Sequence, residues 1–143
     1  MQLSIFLENI KPISLNHSHK ITTRGKFASK YKTKAYVDLE NEMNSALIKY
    51  KRDILEFNEI YKSGDYYLTA QYKFYYPILL KTGKAINKRS GDVSNLIKVC
   101  EDILFKHLVA DDSEIITATV TKTHSEDIRT EIILDLKDLR HIL

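Results

Sequence analysis

The sequence is poor in cysteine, proline and glycine, with one, two and four of them in 143 residues, and it has no tryptophan. A single cysteine excludes an intramolecular disulfide and a cysteine-based zinc site. No apolar run reaches the roughly 18 residues of a transmembrane helix, and the N-terminus lacks the basic start and apolar stretch of a signal peptide. We therefore expect a cytoplasmic protein with no membrane partner, in which Cys100 is a small buried hydrophobe.

Acidic residues are absent from two long segments, although the net charge of the whole chain is only +3. One segment runs from Asn9 to Val37 and the other from Tyr66 to Gly91. Their basic residues are Lys11, Lys20, Arg24, Lys26, Lys30, Lys32, Lys34, Lys73, Lys81, Lys84, Lys88 and Arg89. Two basic segments in a small protein indicate either a polyanion-binding surface or a solvated surface without a ligand.

The hydrophobic pattern predicts one α/β domain over residues 1–143. Alternating or β-branched segments predict strands at 3–8, Tyr66–Tyr76, Ile115–His124 and Arg129–Leu136, and Ser125–Asp127 suits a hairpin turn between the last two. Apolar residues at three- and four-residue spacing predict helices at Thr33–Phe57 and Asp92–His107. The order β-α-β-α-β-β implies a mixed sheet with two main helices, and Lys11–Lys32 is predicted to be irregular.

The second predicted helix separates apolar from polar residues. Its apolar arc contains Leu96, Ile97, Cys100, Ile103, Leu104 and Leu108. Asn95, Lys98 and Asp102 fall together on the opposite side, with Asp92 at the start of the helix. Glu101 lies well round from Asp102 and is ranked below it as a participant in a site.

Adjacent carboxylates, Asp111 and Asp112, follow this helix just before a predicted strand. A short turn there would return them toward the start or the exposed face of the helix. Converging carboxylates suit a hard cation such as Mg²⁺, with Mn²⁺ as a substitute, and Lys98 could hold a phosphate nearby. Taken singly, each feature is also explained by helix capping or by a solvated polar face. The residues alone support a possible metal site beside a polyanion surface.

Residues 91–115 resemble the RusA family of Holliday junction resolvases, which occurs in bacteria and prophages. The family pattern is Asp-x-Asp-Asn, a Lys three residues on, an Asp in the same helix, and then Asp-Asp-Ser/Ala-Gln-Ile/Val leading into a strand. The matching residues occur in the same order at similar spacing, namely Asp92, Asn95, Lys98, Asp102, Asp111, Asp112, Ser113 and Ile115.

This resemblance implies a RusA-like mixed-sheet fold and a Mg²⁺-dependent homodimeric endodeoxyribonuclease. Such an enzyme resolves four-way DNA junctions by paired symmetric incisions in DNA recombination and repair. It also implies catalytic roles for Asp92, Lys98 and Asp112, and metal contacts from Asp92 and Asp112. We expect Asp102 or Asp111 to assist as further metal ligands. The expected DNA contacts are Lys20, Arg24, Lys26, Lys30, Lys84, Lys88, Arg89 and Asn95.

Ser94 departs from the family pattern, because it stands where the second Asp of Asp-x-Asp is expected. A serine hydroxyl cannot supply a charged ligand. Asp102 or Asp111 could take over the missing role, or the enzyme could use fewer direct ligands because Mg²⁺ often keeps several waters. A third reading is a catalytically weakened or inactive protein that only binds branched DNA. Glu114, where the family has Gln, could add a carboxylate to the site.

Overall fold

The computed structural model describes residues 1–142, with Ile142 by its backbone alone, so that Leu143 of the predicted domain lies outside the described part. Within that part, the chain forms six strands and three α-helices. They are β1 (Gln2–Glu8), β2 (His19–Arg24), β3 (Phe27–Lys32), α1 (Lys34–Leu47), α2 (Lys51–Lys62), β4 (Tyr66–Tyr76), α3 (Val93–Phe105), β5 (Ile115–His124) and β6 (Arg129–Asp138).

Four strands form a mixed sheet in the order β1-β6-β4-β5, which confirms the predicted α/β class. β4 and β5 are parallel, whereas β6 runs antiparallel to both β1 and β4. A parallel pair needs a crossover connection, and α3 supplies it. β5 and β6 therefore lie on opposite sides of β4, and the prediction that Ser125–Asp127 closes a hairpin between them is wrong.

One face of this sheet is buried. Along β4, burial alternates, and the residues facing the core are Leu68, Ala70, Tyr72, Phe74 and Tyr76. They share one hydrophobic cluster with apolar residues of all three helices, including Met43, Phe57, Ile103 and Leu104. The two-residue period of the strand and the apolar stripes of the helices thus meet in one core, as their sequence patterns predict. None of the helices in the described part is long and apolar enough to cross a lipid bilayer.

The first predicted helix is divided in two. It starts as expected, because the Thr33 side chain caps it by accepting a hydrogen bond from the Tyr36 backbone N–H at 3.2 Å. A 3₁₀ turn at Ile48–Tyr50 then separates α1 from α2, which continues to Lys62. At this turn the Tyr50 hydroxyl accepts a hydrogen bond from the Phe6 N–H at 3.0 Å and donates one to the Phe6 carbonyl at 3.2 Å. The turn is thereby fixed to the edge strand β1.

The segment predicted to be irregular contains an antiparallel hairpin, so that prediction is wrong. β2 and β3 pair from His19–Lys32 at the base to Arg24–Phe27 at the tip. Gly25 adopts a positive φ of 59° in the two-residue turn, a conformation that glycine reaches without strain. Every hairpin residue except His19 is exposed. Because neither face is buried, the sequence lacks the apolar alternation by which strands are recognised.

Candidate active site

α3 presents a buried apolar side and a polar side, as its sequence predicts. Leu96, Val99, Cys100, Ile103 and Leu104 are buried. Cys100 is 2% exposed, which confirms the predicted burial, and this burial raises the pKa of its thiol to about 12. The thiol is therefore protonated and inert at neutral pH.

Asp92 occupies the N-cap position of α3, and its carboxylate makes no capping hydrogen bond within the described residues. The preceding Gly91 has a φ of 99°, and a Cβ added there would lie 3.0 Å from the Leu96 Cδ2 atom. Glycine is therefore required at this approach to the helix. The Asp92 side chain is exposed at the end of a sterically defined backbone segment.

Two side chains from the sheet hold the segment that leads into Asp92. Lys122 of β5 donates hydrogen bonds to the Ser90 Oγ at 3.0 Å and to the Gly91 carbonyl at 2.7 Å. The buried Tyr76 of β4 donates its hydroxyl to the Ser90 carbonyl. No sequence motif points to Lys122. Lys122 lies opposite Phe74 of β4, on the face of the sheet that carries α3. Knowledge of the register between β4 and β5 would have been needed to identify it.

Replacing Lys122 with Met should lower the free energy of unfolding by about 1–3 kcal/mol, because it leaves the Gly91 carbonyl and Ser90 without their donor. Thermal or denaturant unfolding measures the change. Lys73→Met is the matched control, since Lys73 lies on the opposite face of the sheet in β4 and should change stability by less than about 0.5 kcal/mol. Equal stability of Lys122→Met and the parent would show that this anchor contributes nothing.

An open depression of about 640 Å³ lies beside Asp92. It brings together Asp92 and three of the predicted DNA contacts, Lys88, Arg89 and Asn95, with Lys11 and His17 on the facing segment. His124 supports the start of the loop 77–92 between β4 and α3, because its Nδ1 accepts hydrogen bonds from the Ile78 N–H at 3.0 Å and the Leu79 N–H at 3.2 Å. The remaining predicted DNA contacts lie elsewhere, Lys84 in the exposed loop and Lys20, Arg24, Lys26 and Lys30 on the hairpin.

Lys98 is the centre of an ionic cluster on the polar side of α3. Its Nζ lies 2.9 Å from Asp112 Oδ2, 3.3 Å from Asp102 Oδ1 and 4.0 Å from Glu101 Oε1. The hydrogen bond to Asp112 is the largest cause that raises the pKa of Lys98 to about 12. The same bond is the largest cause that lowers the pKa of Asp112 below its ordinary value. Lys98 and Asp112 are therefore both charged at neutral pH.

Glu101 belongs to this cluster, although the helical wheel ranked it below Asp102. Its side chain is only 12% exposed, against 41% for Asp102, and it accepts a hydrogen bond from the hydroxyl of the buried Tyr72 in β4. Burial raises the pKa of Glu101, while the Tyr72 and Lys98 contacts act in the opposite direction. The signal in the sequence was its three-residue spacing from Lys98, which places the two side chains on neighbouring parts of the helix surface.

Asp111 and Glu114 stabilise the turn that presents Asp112. Asp111 caps the 3₁₀ turn Asp112–Glu114, its Oδ1 accepting from the Ser113 N–H at 2.9 Å. Glu114 completes a capping box by accepting from the Asp111 N–H at 3.2 Å. It also accepts from the Tyr61 hydroxyl at 2.7 Å and thereby raises the pKa of Tyr61 to about 12. These two carboxylates thus accept hydrogen bonds from the turn or from Tyr61, whereas Asp112 accepts one from Lys98.

The predicted metal ligands are divided between two depressions. Asp102, Asp111 and Asp112 border one of about 340 Å³, whereas Asp92 borders the depression of about 640 Å³ that also contains Lys88 and Arg89. Among the described residues, no three His, Cys, Asp or Glu side chains are grouped so as to hold a metal ion, and the Lys98 ammonium lies among the carboxylates. The oxygen donors nevertheless fit Mg²⁺ chemically, because this ion binds through one or two carboxylates and keeps several waters.

The family model described as Endodeoxyribonuclease RusA matches residues 10–135 of the chain. The match begins two residues after β1, extends into β6 and contains α3, both depressions and the hairpin. A comparison with curated proteins found no match.

Proposed function

The chain belongs to the RusA family of endodeoxyribonucleases, and on that premise we propose that it resolves four-way DNA junctions by Mg²⁺-dependent, paired symmetric hydrolysis of phosphodiester bonds. The observation that carries this proposal is the position of Lys98, with its Nζ within 4.0 Å of Asp112, Asp102 and Glu101 on the polar side of α3. A cation that can bind a phosphate, lying beside carboxylates that can bind a metal ion, is the combination that a metal-assisted nuclease uses.

Asp92 and Asp112 would each be a metal ligand in this proposal, Asp92 at the depression of about 640 Å³ and Asp112 at the one that it shares with Asp102. A bound metal ion would supply a Lewis acid and activate water. Asp112 suits this role because its low pKa keeps it ionised, and the capped turn fixes its backbone. Asp92 suits it because its carboxylate is exposed and takes no part in capping within the described residues. Lys98 would donate to a phosphate oxygen, with Glu101 positioning its ammonium group.

The family carboxylate missing at Ser94 is replaced, in our proposal, by Asp102. Asp102 borders the same depression as Asp112 and lies one helical turn beyond Lys98. Asp111 is the weaker candidate because one of its oxygens caps the following turn. Glu114 is weaker still, since its carboxylate accepts from both Tyr61 and the Asp111 backbone. The acidic set is redistributed along α3 rather than depleted.

The basic residues of the hairpin and of the depression beside Asp92 form two basic surfaces, which would bind the DNA backbone. Lys88, Arg89 and Asn95 share the depression with Asp92, so a phosphate bound there lies next to a catalytic carboxylate. A four-way junction is two-fold symmetric, and a homodimer with two-fold symmetry would bring one site to each of two opposed strands. Such an activity belongs to DNA recombination and repair.

Cleavage of a synthetic four-way junction tests this proposal. The junction, a flap and a linear duplex of the same sequence are incubated with the protein in Mg²⁺, Mn²⁺ or EDTA. We expect paired nicks in the junction but not in the flap or the linear duplex, and only when Mg²⁺ or Mn²⁺ is present. Stoichiometric junction binding without cleavage in either metal would instead support the alternative of an inactive branched-DNA-binding protein, and cleavage of all three substrates would support a general nuclease.

Replacing Ser94 with Asp should raise the single-turnover cleavage rate by no more than about threefold, because three carboxylates already lie within 4.0 Å of the Lys98 Nζ. Ser94→Asn, which adds similar bulk without charge, is the matched control. A gain of about tenfold or more in the Asp variant alone would contradict redistribution. It would identify the natural protein as an enzyme weakened by the loss of this ligand.

A further inference from the structure

The hairpin of β2 and β3, residues 19–32, concentrates the positive charge of the molecule. It contains five of the 22 Lys and Arg residues, namely Lys20, Arg24, Lys26, Lys30 and Lys32, and no acid. The rest of the chain therefore has seventeen cations against nineteen Asp and Glu residues. The net charge of +3 thus originates entirely in the hairpin, which makes it the part of the surface best suited to a polyanion.

The pairing register gives the hairpin two different faces. Because cross-strand partners lie on the same face, the pairs Lys20–Tyr31 and Arg24–Phe27 share one face. On it, Phe27 is 80% exposed and Tyr31 is 47% exposed. This face therefore presents aromatic rings beside cations, and we call it the aromatic face. The other face contains the pairs Ile21–Lys30 and His19–Lys32.

The opposite face is anchored to α1 at the base of the hairpin. The His19 and Tyr36 rings lie 5.1 Å apart between centroids, and the Lys32 Nζ lies 3.2 Å from Glu40 Oε2. The Thr33 N–H also donates to the Ser18 carbonyl at 2.9 Å. These contacts hold the base, while the aromatic face and the tip lie in solvent.

The hairpin starts at the edge of the candidate active site. Lys11, Asn16 and His17 line the depression that contains Asp92, and β2 begins two residues after His17. Six residues per strand extend the hairpin about 20 Å from this edge. DNA bound at Asp92 would therefore continue onto the hairpin.

We propose that the aromatic face binds the branch point of a four-way junction, with Phe27 and Tyr31 stacking on exposed bases and Lys20 and Arg24 contacting the adjoining phosphates. This inference rests on the proposed function. Aromatic side chains stack on bases whose π-faces are accessible. Regular duplex hides those faces between neighbouring base pairs, whereas an opened branch point exposes them. A second copy of the chain fits less well, since two hairpins of equal positive charge repel each other.

Equilibrium binding in EDTA tests this role without requiring cleavage. A fluorescently labelled four-way junction and a linear duplex are titrated with the parent and with the double variant Phe27→Ala/Tyr31→Ala. The double variant should lose at least about 30-fold in junction affinity and less than about twofold in duplex affinity. Its dependence on salt should be unchanged, because no phosphate contact is removed.

Three further variants separate stacking from other causes. Ile21→Ala, at a residue 70% exposed on the opposite face, should leave both affinities unchanged. Phe27→Leu/Tyr31→Leu keeps apolar bulk without the aromatic rings and should reproduce most of the loss of the double alanine variant. Lys20→Ala/Arg24→Ala should weaken binding to the junction and to the duplex alike. It should also make the fall of log affinity with log salt shallower, by about 2 in the slope. Circular dichroism verifies that each variant is folded.

Equal junction affinity of the parent and the double aromatic variant would overturn the stacking role. Equal losses on junction and duplex would also overturn it, since the face would then be a general DNA contact. A change in sedimentation behaviour without a change in DNA affinity would show that the face binds a second copy instead. Failure of the parent to bind any DNA would overturn the proposed function as well. Tight junction binding without cleavage would overturn only the catalytic proposal.

Discussion

Replacing Asp112 with Asn should reduce the single-turnover cleavage rate of a four-way junction by at least about 100-fold. Removing even an outer partner of a metal site costs about 10- to 100-fold, and Asp112 would be a direct ligand. Asparagine has nearly the same size but cannot supply a charged oxygen to the metal or to Lys98, which lies 2.9 Å from it. Junction affinity should stay within about threefold, because the basic surfaces are unchanged.

The neighbouring substitution Asp111→Asn is the matched control for this prediction. Asparagine is also a good capping residue, so the 3₁₀ turn Asp112–Glu114 should persist and cleavage should fall by less than about tenfold. Mn²⁺ binding, followed by electron paramagnetic resonance without DNA, provides a second readout and should weaken only in Asp112→Asn. Cleavage by Asp112→Asn at the parental rate would remove Asp112 from the active site.

The parts of the fold that sequence could predict are those with one buried and one exposed side. β4 alternates around Tyr72 and Phe74, and α3 repeats its apolar residues every three or four positions, so both were placed correctly. The hairpin 19–32 was missed because its exposed residues do not alternate between a buried apolar face and a polar face. The pairing of β6 with β4 was missed because strand order depends on contacts between residues more than fifty positions apart.

The site was predictable to the same extent. The return of Asp112 to α3 follows from a strand–helix–strand unit, and the structure places it against Lys98. The burial of Glu101 was not predictable from a helical wheel, because it depends on the hydroxyl of Tyr72, 29 positions earlier in the chain. Asp111 and Asp112 are adjacent carboxylates that only the family resemblance distinguishes in sequence. Only the turn geometry makes one a cap and the other an ionic partner.

Replacing Lys98 with Met should reduce cleavage by about 100- to 1,000-fold, the cost of removing one preorganised donor to a developing anion. The same change should strengthen Mn²⁺ binding in the absence of DNA, because the positive charge within 4.0 Å of Glu101, Asp102 and Asp112 is gone. A slower enzyme that binds metal more tightly is a combination that unfolding does not produce. Lys98→Arg keeps the charge and should lie between the parent and Lys98→Met in both measurements.

The pH dependence of stability should change in the same variant. The lowered pKa of Asp112 stabilises the fold above the ordinary pKa of an aspartate, and this contribution is lost as the pH falls through the native value. The pKa of Lys98, raised to about 12, gives a contribution that is complete below the ordinary value of 10.5 and is lost as the pH rises through about 12. Urea unfolding at a series of pH values should therefore show a smaller loss of stability on acidification in Lys98→Met than in the parent. Parallel curves would show that the Lys98–Asp112 pair contributes nothing to folding, whereas a smaller acid loss together with slower cleavage and tighter metal binding would assign the pair to both stability and catalysis.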